Sequence, residues 1–423
     1  MQKDNLDIAV IGGGVAGITA AFLLQQRHRV TLYEKNDYIG GHTHTVVIPD
    51  GPDAGTPVDT GFIVLNDRTY PLFSRLLKRL AVEIRESDMS FSYFSERSGF
   101  HYASRSLDAL FAQRINLVNP AHIYMLQEII RFNWTTRRRL HNGTLKNLMM
   151  GDYLRQMKFS RRFRTRYIVP MAAAIWSSPD EDIMNFPMET FARFFDNHGL
   201  LTVSDQPRWY YVNGGSHTYV EAFRSVFTGE IHVDAPVRSL KRVERGVIVR
   251  LPDGTACTHD AAVVATHADQ ALRLLADPSE DETRLLGPWR YSRNQVVLHC
   301  DAGWMPPSRR AWASWNYIRK RSAANRSPVV LTYHMNRLQR LKTRKPYFVT
   351  LNPSHPIARK DTVAVFKYHH PMYSFESLAT QPDLPRLNGR QRTYFCGSYW
   401  GYGFHEDAVR AAVGVAVDLG GRL

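Results

Sequence analysis

Cysteine is scarce in this chain. Cys257, Cys300 and Cys396 stand far apart with no C-x-x-C pair. That excludes a disulfide framework, a zinc ribbon and a dithiol reductase, and it suits a reducing compartment. No apolar run is long enough to span a bilayer. Acidic residues are in deficit: 39 Asp and Glu face 54 Lys and Arg, a net charge of +15. Such a surface invites nucleic acid, an anionic membrane or an acidic substrate. A second G-x-G-x-x-G is also missing, so no dedicated NAD(P)H domain is expected. No metal site is expected either, because the adjacent His369 and His370 would point to opposite faces of a strand. The chain opens MQKDNLDIAV and enters a strand almost at once, so no signal peptide is expected and the cytoplasm is the expected compartment.

What is present begins at Asp7. The stretch to His42 reads DIAVIGGGVAGITAAFLLQQRHRVTLYEKNDYIGGH. Asp7–Ile11 is a short apolar run of the kind that forms a buried parallel strand. Gly12, Gly14 and Gly17 follow as G-x-G-x-x-G, and Val15 and Ala16 begin a helix-forming run. Gly12 makes the tight turn, Gly14 lets a pyrophosphate approach the backbone, and Gly17 lets helix and strand pack closely. The helix N-terminus turns free N–H groups and a positive dipole end towards the phosphates. A second β-rich run, Arg29–Tyr33, ends in Glu34 and Lys35. The Glu34 carboxylate can accept from a ribose diol and would repel a 2′-phosphate. Gly40-Gly41, followed by His42 and Thr43, brings a second backbone segment to the same pyrophosphate. That is an expected feature of a site holding FAD.

At 423 residues the chain exceeds the size of a single core, so two domains are expected. Leu72, Leu76, Leu77 and Leu80 have helical spacing, and Phe91–Phe94 with Gly99–Ala103 read as a strand pair. From Arg131 to Tyr167, eleven Lys and Arg face the single acid Asp152 and are interleaved with aromatic, Leu and Met residues. Two readings of that segment stand: a helix lying on anionic lipid, or a solvated basic face over core-packing apolar residues. No nucleic-acid motif accompanies the charge, and no nucleic acid is expected as a partner. Further on, Ser314–Tyr317, Thr332–Asn336, Phe348–Pro353 and Phe366–Pro371 look like strands of a sheet that roofs the cofactor. His299, His334 and His369 are candidate acid/base groups, because imidazole titrates near neutrality.

The glycine-rich N-terminus resembles that of FAD-dependent amine oxidoreductases, the superfamily of monoamine oxidases, phytoene desaturases and protoporphyrinogen oxidases. The resemblance implies that Gly61 and Phe62 lie near the isoalloxazine and that Val237 meets the adenine through its backbone. It also implies that Ala265 ends a buried strand beside the cofactor. Near the C-terminus, Gly397 matches the family's glycine at the ribityl-pyrophosphate. Gly403-Phe404-His405 matches the turn into a last helix, through Ala408, whose amides face the flavin. Tyr402 or Phe404 would supply an aromatic wall above the ring. The chain departs from the family pattern in three places. His42 stands where Arg is usual, Ser398 and Tyr399 where an acid often follows the glycine, and Arg293–His299 offers no Lys on the strand that carries one in amine oxidases. More narrowly, GFHEDA, FVTLNP, YHHP and SWNY together look like a bacterial group of FAD-binding, amine-oxidase-like proteins. That group is associated with cyclopropane-fatty-acid-synthase-like methyltransferases, which implies acyl-chain chemistry.

The expected fold is α/β: a Rossmann-like FAD-binding domain from residues 1–68, 205–275 and 390–423, with an inserted α+β substrate domain from 69–204 and 276–389. The expected activity is two-electron dehydrogenation of a hydrophobic, lipid-like substrate. A soluble amine oxidase and a non-catalytic FAD-binding partner of a lipid-modifying complex are the alternatives. The implied partners are that substrate, an anionic membrane at the inner face of the cell reached through Arg131–Tyr167, and a methyltransferase.

Overall fold

The structure, a computed structural model, describes residues 5–202, 205–321 and 329–423. The chain forms β1 (Asp7–Ile11), α1 (Val15–Leu24), β2 (Arg29–Tyr33) and α2 (Pro71–Arg79). It then runs through α3 (Pro120–His141) and α4 (Met188–Asn197) and returns with β3 (Ala261–Val264). The long strands β4 (Arg290–His299) and β5 (Thr362–Met372) follow, and the last helix is α5 (His405–Asp418).

Two sheets organise these elements. The first has five parallel strands in the order Glu230–His232, β2, β1, β3 and Thr393–Phe395. Its central strands are enclosed on both faces, so β1 and β3 read as unbroken apolar runs. α1 is rich in alanine and buried along its whole length, and it packs against α5. An added Cβ at Gly17 would sit 1.8 Å from the Gly12 carbonyl oxygen, so only glycine lets helix and turn meet there. α2 joins this core through Phe73, Leu76 and Leu77, although its position in the sequence suggests the substrate domain.

The second sheet has seven strands, in the order β5, β4, Phe348–Leu351, Leu331–His334, Trp315–Arg319, Phe91–Ser95 and His101–Ala103. All its pairings are antiparallel except that of Trp315–Arg319 with Phe91–Ser95. Met335 and Asn336 depart from the expected strand and open the short helix Met335–Leu338, where the Met335 amide still donates to the Tyr347 carbonyl. The helices from α3 to α4 form the rest of this lobe. Within Arg131–Tyr167 the apolar side chains Phe132, Leu140, Tyr153, Leu154, Phe159 and Phe163 are buried. Several arginines lie over that packing: Arg131 stands 4.2 Å from the Phe159 ring and Arg166 4.3 Å from Phe100.

Candidate functional site

The first part of the site is a backbone cradle. Gly12 has φ +106° and its N–H donates to the Tyr33 carbonyl (2.8 Å), which closes the turn after β1. Gly14 is the N-cap of α1 and brings no side chain to cap it, so the first-turn amides remain free for an anion. No atom lies within 4 Å of where a Gly14 Cβ would stand. Gly40 donates to the Gly13 carbonyl (2.7 Å) and pairs with Gly14 in a short parallel bridge. Gly41, at φ +61°, lies close enough to Gly14 that a Cβ would stand 3.1 Å from its Cα. Two glycine turns thus converge on one backbone channel. Glu34 is buried at the end of β2 and accepts from the Gly13 N–H (2.7 Å) and the Asn36 N–H (2.9 Å). Lys35 beside it is exposed. Val237 follows the turn by which Ala235 donates to the Glu34 carbonyl, and the Ala265 amide donates to Ile11 beyond β3.

The next layer runs along the channel. Phe62 donates to the His42 carbonyl (2.7 Å), and a Gly61 Cβ would stand 2.1 Å from that same oxygen, so this crossing requires glycine. The His405 ring stacks on Phe62 (3.8 Å between centroids) and its Nε2 lies 3.0 Å from Thr43 Oγ1. At the start of α5, Asp407 accepts from the Tyr402 and Phe404 amides (2.9 and 3.1 Å). Burial holds its carboxyl above the usual carboxylate range. Glu406 reaches the other way and accepts from the Leu72 and Phe73 amides at the start of α2. Gly403 has φ +92°, and Gly397 precedes a short turn that leads into this loop.

Histidines gather where the two sheets meet. The His42 ring lies 5.4 Å from His370, 5.2 Å from Tyr368 and 6.2 Å from His267. His42 Nε2 is buried without a hydrogen-bond partner. Burial pushes His42 down to about 4, and His370 and His405 to about 3, so all three are neutral imidazoles. From β4, Asn294 reaches His370 Nδ1 (3.0 Å). No lysine stands on β4.

The sequence candidates divide by place. His299 is fully buried near the far end of β4, with Nε2 2.7 Å from Thr350 Oγ1 and the Asp301 N–H donating to Nδ1. His334 lies beside Phe348 and Trp312, in the same corner as His299. Neither is brought to the cradle. His369 is exposed and meets His267 at 6.4 Å, while its neighbour His370 faces His42. Tyr402 and Phe404 meet Phe194 of α4, at 5.7 and 5.0 Å. Trp176 continues that aromatic run, 4.9 Å from Phe194. A cavity of about 440 Å³ opens beside Tyr402 and Phe404, with Arg68, Asp196, His198 and Arg410 among its walls. The sequence reading missed His267, His370, Asn294 and Phe194. The period-two alternation of β5 allows only one of the two adjacent histidines to face inward, without selecting which.

These residues fit FAD. The open Gly14 position and free α1 amides suit the pyrophosphate, and Glu34 suits a ribose. The orphaned His42 nitrogen and the α5 N-terminus suit the polar edge of a flavin. When bound, FAD supplies a two-electron acceptor.

Comparison with known proteins gives the same answer. The model of the family described as flavin containing amine oxidoreductase matches residues 15–307. An L-amino-acid oxidase of Siganus canaliculatus is 23% identical over 295 residues, 64% of this chain and 52% of that protein. A 1-hydroxycarotenoid 3,4-desaturase of a Flavobacterium is 30% identical over 94 residues, 22% of this chain and 17% of that protein. The chain thus spans about half the length of the first relative and less of the second. A solved putrescine oxidase variant shares the fold with a TM-score of 0.70 at 14% identity, over 98% of each chain. With a paired-glycine cradle, an acid-tipped β2 and a last helix aimed into the same channel, this chain belongs to the flavin-containing amine oxidoreductase family and its cofactor is FAD.

Proposed function

We propose that the protein dehydrogenates a hydrophobic, acyl-type substrate, passing a hydride to the flavin. The observation that carries this reading is the aromatic run Trp176–Phe194–Phe404 leading into the substrate lobe from the N-terminus of α5. Such a wall holds a chain by contact and excludes water, and it offers no charge to an amine. Two features support it. β4 presents Asn294 and no lysine towards the histidine cluster, and the imidazoles there are neutral. The relative named as a 1-hydroxycarotenoid 3,4-desaturase acts, by its name, on a hydroxycarotenoid. In this reading Phe404 and Tyr402 position the substrate, and the α5 N-terminus stabilises negative charge on the reduced cofactor. A methyltransferase working on the same acyl chain is the partner this reading implies.

A second reading, oxidation of an amine, is favoured by the walls of the 440 Å³ cavity. Asp196, Glu406 and Asp407 line it against Arg68 and Arg410, one more acid than base, although Arg410 pairs with Glu406 and Asp407. Anaerobic addition of substrates to the FAD-loaded protein separates the two. Bleaching of the flavin by a methylated acyl phospholipid supports the first reading. Bleaching by amines alone replaces it with the second.

A further inference from the structure

Fourteen large apolar side chains are more than a third exposed among the described residues, and seven of them fall between Leu107 and Trp134. Leu107 opens the stretch, Ile115, Leu117 and Val118 occupy the turn before α3, and Tyr124, Ile130 and Trp134 stand on α3 itself. Their exposure runs from 51% at Tyr124 to 77% at Leu107.

α3 explains how the last three come to face outward. Its inner face buries Met125, Glu128, Phe132, Thr136 and Leu140 at helical spacing against the lobe. At about 100° per residue, Tyr124, Ile130, Trp134 and Arg138 share an outer arc of roughly 120°. A surface helix normally places polar residues there. This one carries an aromatic and aliphatic stripe that ends in arginine, with Arg138 5.5 Å over the Trp134 ring. Most apolar groups of Arg131–Tyr167 pack inward, with Trp134 and Met149 outside, so the exposed apolar surface lies mainly upstream of the segment that the sequence singles out and meets it at Trp134.

Charge identifies the occupant. From Arg105 to Arg166 thirteen Lys and Arg face three acids. Asp108, Glu128 and Asp152 are each already paired with an arginine. Exposed Leu, Ile, Val, Tyr and Trp rimmed by unbalanced cations match the boundary between acyl chains and anionic headgroups. We infer that the surface from Leu107 to Trp134 docks on an anionic bilayer, with the apolar tips entering the headgroup layer and the arginines beside them meeting phosphate. The docking is independent of which substrate is oxidised.

Vesicle flotation of the FAD-loaded full chain tests this, using neutral phosphatidylcholine vesicles and vesicles with 30% phosphatidylglycerol. The expected result is binding to the anionic vesicles that weakens as salt rises. Arg138→Gln with Lys146→Gln should weaken it about thirtyfold, about fivefold per cation removed. Ile130→Ser with Trp134→Ser should also release the protein, with flavin content and thermal melting unchanged because both side chains are exposed. Equal binding to neutral and anionic vesicles overturns the proposal, as does no binding to either. Self-association that is lost in the Ile130→Ser/Trp134→Ser variant, without vesicle binding, also overturns it and gives the surface to a second copy of the chain.

Discussion

Acid should destabilise this protein above the carboxylate range, and His299 shows why. Its two ring nitrogens are committed in the neutral form. Nε2 donates to Thr350 Oγ1, and Nδ1 accepts from the Asp301 N–H. A second proton would have to sit on Nδ1, facing that N–H, in a fully buried position. Burial holds His299 at about 4, and does the same for His198 beside Phe194. The unfolded chain takes up the proton near 6.5. Between these values the unfolded state binds more protons, so stability is complete above about 6.5 and is lost as pH falls towards 4. At pH 5 each group costs about 2 kcal/mol, from 1.5 units at about 1.4 kcal/mol per unit. His198 and His299 together cost about 4 kcal/mol, against a typical total of about 5–15 kcal/mol. His42, His334, His370 and His405 act in the same direction. Urea unfolding at pH 7.5 and 5.0 measures the loss, and His299→Asn should shrink the difference by about 2 kcal/mol. Equal stability at the two pH values, or an unchanged difference in His299→Asn, refutes the reasoning.

Three substitutions probe other parts of the account. Glu34→Ala orphans the Gly13 and Asn36 amides. It should lower FAD affinity at least tenfold and cost about 1–3 kcal/mol of stability, read by flavin fluorescence and thermal melting. Asp59 is buried and accepts from Ser216, Thr45 and Gln339, three separate segments of the chain. Asp59→Ala should cost about 3 kcal/mol in urea unfolding. Arg242 and Glu282 form a buried pair with both contacts at 3.0 Å. Glu282→Ala leaves the buried guanidinium with Asp277 alone and should cost about 3 kcal/mol, whereas replacing both partners by apolar residues should cost less.

The cradle was legible in the sequence because its logic is local. Strand, turn, helix and acid lie within 28 residues, Gly12 and Gly17 answer close contacts seen in the fold, and Gly14 leaves the space between them open. The roofing sheet was legible as a set of strands from their alternating aromatic and polar residues. The histidine cluster was not, because His42, His267 and His370 are more than a hundred residues apart from one another and meet only where the two sheets meet. Spacing alone does not say which face of β5 turns inward, and it is His370, not the candidate His369, that meets His42. His299 carried the right chemistry, but its place near the far end of β4 is set by the pairing of that strand with Phe348–Leu351. α2 sits where the sequence expects the inserted domain, yet its apolar face completes the core around Phe62 and Tyr219. The exposed stripe on α3 was hidden because periodicity shows that a helix has an apolar face without showing that a second one stays outside.

The most direct test of the account is a titration of the cofactor-stripped protein with FAD, followed in the visible spectrum, for the natural chain and Gly14→Val. The backbone at Gly14 is extended, with φ −72°, and its Cβ position is open. The account therefore predicts one FAD per chain for the natural protein. Gly14→Val should melt at the same temperature without FAD and should not bind the cofactor. A folded natural chain that takes up no FAD, or a Gly14→Val chain that binds it unchanged, would contradict the central claim.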